Sequence, residues 1–476
     1  MDVFLDPDAG GSKTVALFEQ IRDAITSGRL THGDSLPPTR LLAEQLGVSR
    51  STITTAYGRL NAEGYINGRT GAGSTVAYKL ATTDTSGVGP AALVSTNRVG
   101  VNSSRWSLGG FDEREPTFDL RSGRPDPALF PLVTWRRVMS DALHQSPSGY
   151  GRSNGLPTLR RALAQWVHRS RAVRADADQV IVTSGAQQGI DLVARLLVQP
   201  GETIAVEEPG YPPVTSLFHA LGANVAPVPV DSDGIQVEQL PEDTRLIYVT
   251  PSHQSPTGAV MSMKRRTALL KFAEARNIGI IEDDYDTEYR HKDRPLEPLY
   301  RLDRHGRVIY VGTFSKTLSP SLRLGFVILP PSLVDDAIAQ RSLMDWQPPE
   351  ASQAALHRFI VDGHLDRHLR RTRRQYSMRH KLVHDYLHRA AEEGLVLPTV
   401  PHSAGLHTTA CLPSGMTEHD VSTEANRLGI ALGNFEQCWQ GTQAHQGLII
   451  GFGAIATNEL ADALAGLNQV LRATRS

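Results

Sequence analysis

Six short apolar runs, spaced between helical stretches, constrain the fold of this chain more than any other feature. They read QVIVTS, TIAVEE, RLIYVTP, IGIIEDD, RVIYVGT and LGFVILP, and all lie within residues 116–476. Runs of this length that alternate with helical segments are typical of βαβ units, in which helices cover a parallel sheet. The sequence therefore predicts a large α/β domain with a mostly parallel sheet over residues 116–476.

Residues 12–79 instead carry short helical patterns. Apolar residues recur there at near-helical spacing: Val15, Leu17, Ile21, Ile25 and Leu30. The next segment predicts one helix over residues 39–46 and, after a turn at Gly47, another that opens at Ser49, whose hydroxyl can cap a free backbone N–H. The glycine-rich stretch NGRTGAGSTVAY then predicts a two-stranded wing. Together these elements predict a winged helix-turn-helix.

In that fold the helix that opens at Ser49 would enter the major groove of DNA. An arginine there can bond guanine with two hydrogen bonds, while hydroxyls reach bases or phosphates. The predicted DNA-contacting residues are Arg50, Ser51, Thr52 and Thr55 on this helix, Arg40 on the preceding helix, and Arg69 and Gly71 on the wing. The alternative interpretation is a helical hairpin used for protein contacts.

The segment LPPTRLLAEQLGVSRSTITTAYGRLNAEGYINGRTGAGSTVA resembles the DNA-binding domain of GntR-type regulators, over residues 12–79. Residues 80–115 follow; they are rich in Ser, Thr, Gly and Val without a sustained period, which predicts a linker. The net charge is −1, so DNA binding must come from a local basic patch. We expect a soluble, cytoplasmic protein without membrane contact, because the chain shows neither a signal peptide nor a long apolar span.

The two cysteines, Cys411 and Cys438, stand in no metal-ligand spacing, so we expect no metal site. A different chemistry is suggested by GTFSKTLSPSLRLGF, which places one lysine, Lys316, between hydroxyl residues after the run RVIYV. One interpretation is a solvated lysine. The other is a Schiff-base lysine whose neighbours Thr313, Ser315 and Arg323 hold a phosphate.

Other motifs in this part supply what an aldehyde cofactor needs. The turn at Gly185 and Ala186 opens a helix whose N–H groups favour a phosphate, although many such turns bind nothing. Tyr211 follows a strand and could stack on a pyridine ring, or could simply pack on the surface. The acidic strand end that includes Asp283 could pair with the ring nitrogen, or could be a solvated loop.

The order of these motifs resembles fold-type I aminotransferases, which use pyridoxal 5′-phosphate (PLP). A GntR-like head joined to such a body is similar to the MocR/GabR-type regulators. The resemblance implies that Lys316 forms the internal aldimine with PLP, that Asp283 pairs with the pyridine nitrogen and that Tyr285 bonds the phenolic oxygen. It also implies that Tyr211 stacks on the ring, and that the phosphate is held by Gly185, Ala186, Thr313, Ser315 and Arg323. Tyr150 would reach the neighbouring subunit's phosphate across a homodimer.

The chain departs from that family pattern at two places. Ser255 stands where aminotransferases usually carry an asparagine that bonds the phenolic oxygen, and we expect Gln254, Ser255 or His253 to cover this task incompletely. Ile449 stands where relatives that bind amino acids carry an arginine for the carboxylate, and isoleucine cannot make that bond.

These features predict a DNA-binding regulator that senses PLP or a PLP adduct, similar to a PdxR-like subgroup that controls PLP synthesis genes. Three alternatives remain open: an amino-acid or amine effector, an active aminotransferase with a DNA-binding head, and a DNA-binding protein with a dead cofactor domain. We expect at most a residual transaminase half-reaction. The arginine that would position a substrate carboxylate is missing, and substrate positioning supplies much of an enzyme's rate.

Overall fold

The structure is a computed structural model that describes residues 12–69, 73–79, 115–144, 149–291, 297–398, 404–441 and 443–475, without the side chain of Arg69. The chain divides into two compact units, Met1–Thr96 and Asn97–Ser476. Most of the predicted linker, residues 80–114, lies outside the described residues, as does Gly71 at the wing tip. No described helix is long and apolar enough to cross a membrane.

The N-terminal unit packs three helices against a small sheet. Its elements are α1 (Lys13–Thr26), β1 (Ser35–Leu36), α2 (Thr39–Leu46), α3 (Arg50–Ala62), β2 (Ile66–Arg69) and β3 (Gly73–Val76). The strands follow the order β1-β3-β2, and both pairings are antiparallel. The predicted winged helix-turn-helix is therefore present, with Gly47 in the left-handed conformation (φ 62°) that ends α2.

One residue of the predicted apolar face of α1 is not in the core. Leu17, Ile21 and Ile25 are buried, whereas Val15 is 41% exposed. Each helical residue turns by about 100°, so Val15 lies about 200° from Leu17 and faces the opposite side of the helix.

The second unit is built around a twisted sheet flanked by helices. Its first elements are β4 (Phe118–Leu120), α4 (Leu132–His144), α5 (Pro157–Arg171), β5 (Val180–Thr183), α6 (Ala186–Leu197), β6 (Thr203–Glu208), α7 (Pro212–Ala220), β7 (Asn224–Asp231), β8 (Gly234–Ile235), β9 (Thr244–Val249), α8 (Met263–Arg276), β10 (Gly279–Asp284), α9 (Leu299–Leu302), β11 (Val308–Thr313) and β12 (Gly325–Ile328). The later elements are α10 (Val334–Asp345), α11 (Glu350–Val361), α12 (His364–Glu392), β13 (His407–Cys411), α13 (Glu418–Arg427), β14 (Ile430–Leu432), β15 (Gly447–Gly451) and α14 (Thr457–Ala473).

The large sheet has the strand order β5-β12-β11-β10-β9-β6-β7-β8. Strands β7, β6, β9, β10 and β11 run parallel, and β12 runs antiparallel to both of its neighbours. All six predicted runs form strands of this sheet, so the mostly parallel α/β prediction is confirmed. The sequence analysis missed β7 and β8, and β7 contains two prolines, which weaken a strand pattern.

A smaller subdomain is formed by the end of the chain together with β4. Strand β13 pairs antiparallel with β15, and β14 pairs parallel with β4. Helices α12 and α14 close one apolar cluster against these strands. Because β4 joins this late sheet, the segment that follows β4 is held beside the carboxyl ends of the central strands, where the candidate site lies.

Candidate cofactor and DNA-binding sites

Lys316 lies in the loop between β11 and β12, and its Nζ donates a hydrogen bond to the carbonyl oxygen of Gly123 at 2.7 Å. Gly123 has a left-handed φ of 76°, and a Cβ there would lie 2.9 Å from Nζ, so only glycine leaves room for the amine. Burial lowers the pKa of Lys316, although Asp286 and Asp283 act to raise it. A lowered pKa increases the fraction of neutral amine, which is the form that attacks an aldehyde.

Asp283 is the last but one residue of β10, and only one of its two carboxylate oxygens accepts a hydrogen bond from a described residue. Its Oδ2 accepts a hydrogen bond from the Tyr248 hydroxyl at 2.7 Å, while the buried Oδ1 has no hydrogen-bond partner among the described residues. Burial raises the pKa of Asp283 to about 7, against the lowering effect of Tyr248. A buried carboxylate oxygen without a donor is costly, and a protonated pyridine nitrogen is a donor of the right kind.

The neighbouring Asp284 points to the other face of the sheet and anchors the strand end. It accepts hydrogen bonds from Arg171 at 2.6 Å, from Tyr310 at 2.5 Å and from Thr287. Both Arg171 and Asp284 are buried. Because side chains alternate along a strand, this ion-paired network fixes the backbone that presents Asp283 to the opposite side.

The predicted phosphate-binding residues converge at the start of α6. Gly185 precedes the helix at φ 88°, where other residues are strained, and Ala186 is the first helical residue. The Arg323 guanidinium lies over this turn, because a Cβ on Gly185 would sit 3.1–3.3 Å from it, and its Nη2 donates to the Ser184 carbonyl at 2.6 Å. Free helix N–H groups beside a guanidinium form a ready anion site.

Two hydroxyls from the Lys316 loop complete this group. Thr313 Oγ1 donates to Ser315 Oγ at 3.0 Å and accepts from the Ser315 backbone N–H at 3.1 Å. Arg323 itself has φ 50°, a left-handed conformation that is uncommon outside glycine and that turns its side chain back toward the loop. The residues present therefore fit a pyridoxal phosphate, with the amine, ring carboxylate and phosphate donors each supplied.

Tyr285 follows β10 and contacts a buried pair. Its hydroxyl lies 3.1 Å from His253 Nδ1, and the same Nδ1 lies 3.0 and 3.1 Å from the two carboxylate oxygens of Asp286. Burial raises the pKa of Tyr285 well above its usual range, and a hydrogen bond with Ser255 acts in the lowering direction. Of the three residues expected to assist at the phenolic oxygen, His253 and Ser255 thus meet Tyr285.

Gln254 has other partners. Its Nε2 donates to the Pro209 carbonyl at 2.8 Å, and its Oε1 accepts from the Thr257 hydroxyl at 2.6 Å and from the Thr257 N–H at 3.0 Å. These bonds hold the loop after β9 in shape. The side chain therefore has a structural role here, and the expectation that it could reach the phenolic oxygen does not hold in this structure.

The two other tyrosines predicted at the site lie in exposed positions. Tyr211 is the N-cap residue of α7 and is 38% exposed, but burial of its hydroxyl raises its pKa to about 12, and Asp283 and Arg323 are the charged groups that act on it. Tyr150 is 82% exposed, and its ring centroid lies 4.8 Å from that of Trp346. Within the described part of this single chain, the structure does not bring Tyr150 to the phosphate-binding residues.

Ile449, which we expected at the position of a carboxylate-binding arginine, is buried in the structure. The side chain is 3% exposed in β15, within an apolar cluster with Phe435, Cys438 and Trp439. Its neighbour in the sheet register is Thr409 of β13. No carboxylate-binding cation stands at this position.

In the DNA-binding unit, Ser49 caps α3 by accepting the Thr52 N–H at 3.1 Å, and its hydroxyl lies 2.7 Å from that of Ser51. Thr55 bonds back to the Ser51 carbonyl at 2.9 Å. Arg50 is exposed at the first turn of the helix. Thr52 is half-buried, so it is the least accessible of the predicted base-contacting residues.

Arg40 and Arg50 line one shallow depression between α2 and α3. Among the described residues, neither guanidinium makes an ion pair or a side-chain hydrogen bond, so both can meet phosphates or bases. The side chain of Arg69 and the whole of Gly71 lie outside the described residues.

Sequence reasoning missed several residues that complete the cofactor site. Tyr248 was part of a strand pattern and carried no signal of its contact with Asp283. Gly123 is 193 residues away from Lys316, and nothing local to either residue links them. Asp286 lay in the acidic segment after β10, but its pairing with His253 depends on the loop after β9.

Comparison with known proteins assigns each of the two units to a protein family. The family described as "Bacterial regulatory proteins, gntR family" matches residues 13–76, and the family described as "Aminotransferase class I and II" matches residues 116–415. The multiple substrate aminotransferase from Thermococcus profundus has a similar structure, with a TM-score of 0.70 and 26% identity over 80% of this chain and 96% of that chain.

Two curated regulators match nearly end to end. The probable rhizopine catabolism regulatory protein MocR of Rhizobium meliloti is 36% identical over 99% of this chain and 96% of its own length. The pyridoxine biosynthesis transcriptional regulator PdxR of Corynebacterium glutamicum is 33% identical over 99% of this chain and 98% of its own length. The chain belongs to the MocR-type regulators of the GntR family, in which a DNA-binding winged helix-turn-helix precedes an aminotransferase-like domain that binds PLP.

Proposed function

We propose that this transcriptional regulator uses PLP itself as its effector and adjusts its affinity for operator DNA according to whether Lys316 carries the cofactor. When bound, PLP supplies an aldehyde, a protonatable ring and a phosphate. Lys316 takes the aldehyde with loss of one water, Asp283 takes the ring nitrogen, and Arg323 with the Gly185 turn takes the phosphate.

One observation carries the proposal: the cofactor residues are complete while the usual carboxylate position is sealed. The Asp283 Oδ1 lacks a donor and the Lys316 amine is partly desolvated. Ile449, in contrast, is buried in an apolar cluster and offers no cation to an amino acid. The pocket therefore supports recognition of PLP more strongly than recognition of an amino-acid carboxylate.

The similarity to PdxR agrees with this assignment, since that relative is a regulator of pyridoxine biosynthesis. We propose the same type of control here, acting in the cytoplasm where operator DNA lies. An effector shifts a conformational balance only by its difference in affinity between two states. Covalent attachment at Lys316 would provide that difference, because the Schiff base replaces the free amine that donates to the Gly123 carbonyl and so changes how the loop between β11 and β12 contacts the segment around Gly123.

The chain is also proposed to act as a homodimer through residues 116–476, with residues 12–79 as the head and 80–115 as the linker. Large apolar side chains stand exposed on this unit. Leu132, Val133, Leu143, Leu343 and Trp346 are each at least 60% exposed. Exposed apolar side chains mark an interaction surface when they form a contiguous patch, and we propose that these lie at the dimer interface. Tyr150 contacts Trp346, so it would lie on such an interface.

The test is operator binding by the full chain, measured with a fragment recovered by in vitro selection on the purified protein. PLP titrated into cofactor-free protein should change the operator Kd with no amino acid present. Lys316→Ala should remove that response, and Arg195→Ala, a surface change on α6, should keep it.

Other outcomes separate the alternatives. An operator Kd that ignores PLP but responds to one amine or amino acid would contradict the proposal and favour a different effector. Release of more than one keto acid per subunit would favour a working aminotransferase. A protein that shows no cofactor absorbance at all would favour a body that has lost PLP binding.

A further inference from the structure

His253 and Asp286 form a buried pair that the cofactor-holding residues do not include. His253 is 1% exposed and Asp286 is 2% exposed. A single ring nitrogen, Nδ1, faces both oxygens of the carboxylate, at 3.0 and 3.1 Å, and the hydroxyl of Tyr285, at 3.1 Å. We infer that Asp286 and His253 are positioning residues that force Tyr285 to direct its hydroxyl proton at the ring oxygen of bound PLP.

The Asp286 carboxylate determines which atoms donate in this group. Both of its oxygens lie within hydrogen-bond distance of the same ring nitrogen, and although burial raises its pKa, this contact with His253 holds the pKa of Asp286 below its usual range. An ionised carboxylate only accepts hydrogen bonds. Nδ1 must therefore carry the hydrogen, because an unprotonated nitrogen would turn its lone pair toward a negative charge.

The tautomer of His253 then decides the direction of the next bond. A protonated Nδ1 cannot accept the Tyr285 hydroxyl proton, so Tyr285 can take part only as an acceptor from this nitrogen. The hydroxyl proton must go to another acceptor. Ser255 also bonds the Tyr285 hydroxyl, but serine can donate as well as accept, so it leaves the proton available.

The ring oxygen of bound PLP is the acceptor that this arrangement serves. Ser255 stands where aminotransferases usually carry an asparagine whose amide donates to that oxygen. Its side chain is shorter and meets Tyr285 instead. The pair of His253 and Asp286 would compensate, because it makes Tyr285 a dedicated donor. This is the role that a buried carboxylate plays when it fixes the tautomer of a histidine.

The pair also has charged and titratable neighbours on other elements. The groups that act on Tyr285, Asp286 or His253 are Asp283 on β10, Glu207 on β6, Lys316, His407 on β13 and His291. The ring of His407 lies 4.9 Å from that of His253. His253, Asp286 and His407 could together hold a metal ion, since one ligand atom from each lies within 4.8 Å of the others.

The experiment follows the visible absorption of PLP bound to the full chain as a function of pH. It rests on PLP binding at Lys316, which the wild-type band establishes first, and it does not depend on PLP being the effector. A hydrogen bond donated to the ring oxygen reduces that oxygen's attraction for the proton it shares with the Lys316 nitrogen. Losing the bond should therefore raise the pH midpoint of the band.

Asp286→Asn is the informative variant. An uncharged amide no longer requires a hydrogen on Nδ1, so the tautomer with its hydrogen on Nε2 becomes accessible, and its free Nδ1 lone pair accepts the Tyr285 proton and draws it away from the cofactor. The midpoint should rise by about 1–2 pH units, the size of one charge-assisted hydrogen bond, as it should in Tyr285→Phe. Simple loss of the Asp286 charge would move the midpoint the other way, because the protonated nitrogen would lose a favourable neighbour.

Further variants show whether the effect of Asp286 passes through Tyr285 and His253. In the Tyr285→Phe background, Asp286→Asn should no longer raise the midpoint. His253→Asn, which keeps an N–H near the Nδ1 position, should stay closer to wild type than His253→Leu. Glu418→Gln is the matched control, because it also changes a buried carboxyl to an amide, on α13, where it accepts the Phe435 N–H, and it should leave the midpoint unchanged.

Three results would overturn the inference. The first is an unchanged or lowered midpoint in Asp286→Asn. The second is a rise that persists when Tyr285 is already phenylalanine, since the pair would then not act through Tyr285. The third is a midpoint that moves with added Zn²⁺ and returns with EDTA, which would assign the pair and His407 to a metal site instead.

Discussion

Replacing Asp283 with asparagine should make the cofactor-free protein more stable at pH 8 while weakening its hold on PLP. Asp283 is 4% exposed, and burial raises its pKa from 3.8 to about 7, although the Tyr248 hydrogen bond lowers it. A carboxyl with a higher pKa in the folded than in the unfolded chain favours folding at low pH. That stability is lost as the pH rises from 3.8 through about 7.

The magnitude follows from the size of that shift. A difference of about 3 pH units corresponds to about 4 kcal/mol at pH 8. Asparagine recovers only part of it, because its buried amide N–H costs about 1–3 kcal/mol without an acceptor. The expected gain is about 1–3 kcal/mol. For a unit of about 380 residues, unfolding entropy near 2.1 cal/mol/K per residue converts this to about 1–4 °C.

The assay is the thermal midpoint of cofactor-free wild type and Asp283→Asn at pH 5 and pH 8. The advantage of the variant should appear at pH 8 and shrink or reverse at pH 5, and its PLP affinity should fall. Asp284→Asn is the matched control. This change removes the ion-pair partner of the buried Arg171, so the free energy of unfolding should fall by about 3–5 kcal/mol at both pH values.

The reasoning is refuted if Asp283→Asn gains nothing at pH 8, or if its stability follows pH as the wild type does. Either result would mean that the Asp283 carboxyl is already satisfied without the cofactor. The spare oxygen of this residue could then not be counted as part of the PLP site.

Four further outcomes are expected. Measured by fluorescence anisotropy, Arg50→Ala should lose about 1–3 kcal/mol of binding free energy on operator DNA and much less on random DNA. Arg29→Ala, outside the recognition helix, should lose little on either DNA, and equal losses for Arg50→Ala would mark a phosphate contact. Lys316→Ala should leave borohydride no adduct to trap, and a persistent adduct would move the attachment elsewhere. Ser49→Ala should speed hydrogen exchange in the first turn of α3, consistent with about 1 kcal/mol of lost capping, and unchanged exchange would show that the cap contributes nothing. Sedimentation at micromolar concentration with PLP bound should show a dimer, and a wild-type monomer would exclude the interface. Tyr150→Ala should remain dimeric but bind PLP more weakly.

Local patterns in the sequence predicted most of the architecture. The six apolar runs became strands because each is long enough to cross a buried sheet and is bounded by polar or helix-forming residues. The prediction of α2 over Thr39–Leu46 was correct because a glycine with φ 62° ends that helix and a serine caps the next. Strand β7 escaped notice because its prolines resemble loop chemistry.

The site was predictable where a motif carried its own chemistry. Lys316, Asp283 and Arg323 stood out as charged residues at strand ends and loops. Contacts such as Tyr248 with Asp283 were not predictable, because they depend on the register between β9 and β10 rather than on spacing along the chain. Sequence also could not show that Gln254 would turn into its own loop, since that depends on which backbone carbonyls the fold brings near.

The most direct test of the account measures PLP affinity twice, in the presence and in the absence of saturating operator DNA. If PLP is the effector, the two sites are coupled, and operator DNA must change the Kd of PLP by the same factor by which PLP changes the Kd of the operator. The account predicts a factor between about 5 and 150, lost in Lys316→Ala. A PLP Kd that is identical with and without operator DNA would contradict it, however tightly the chain binds either one.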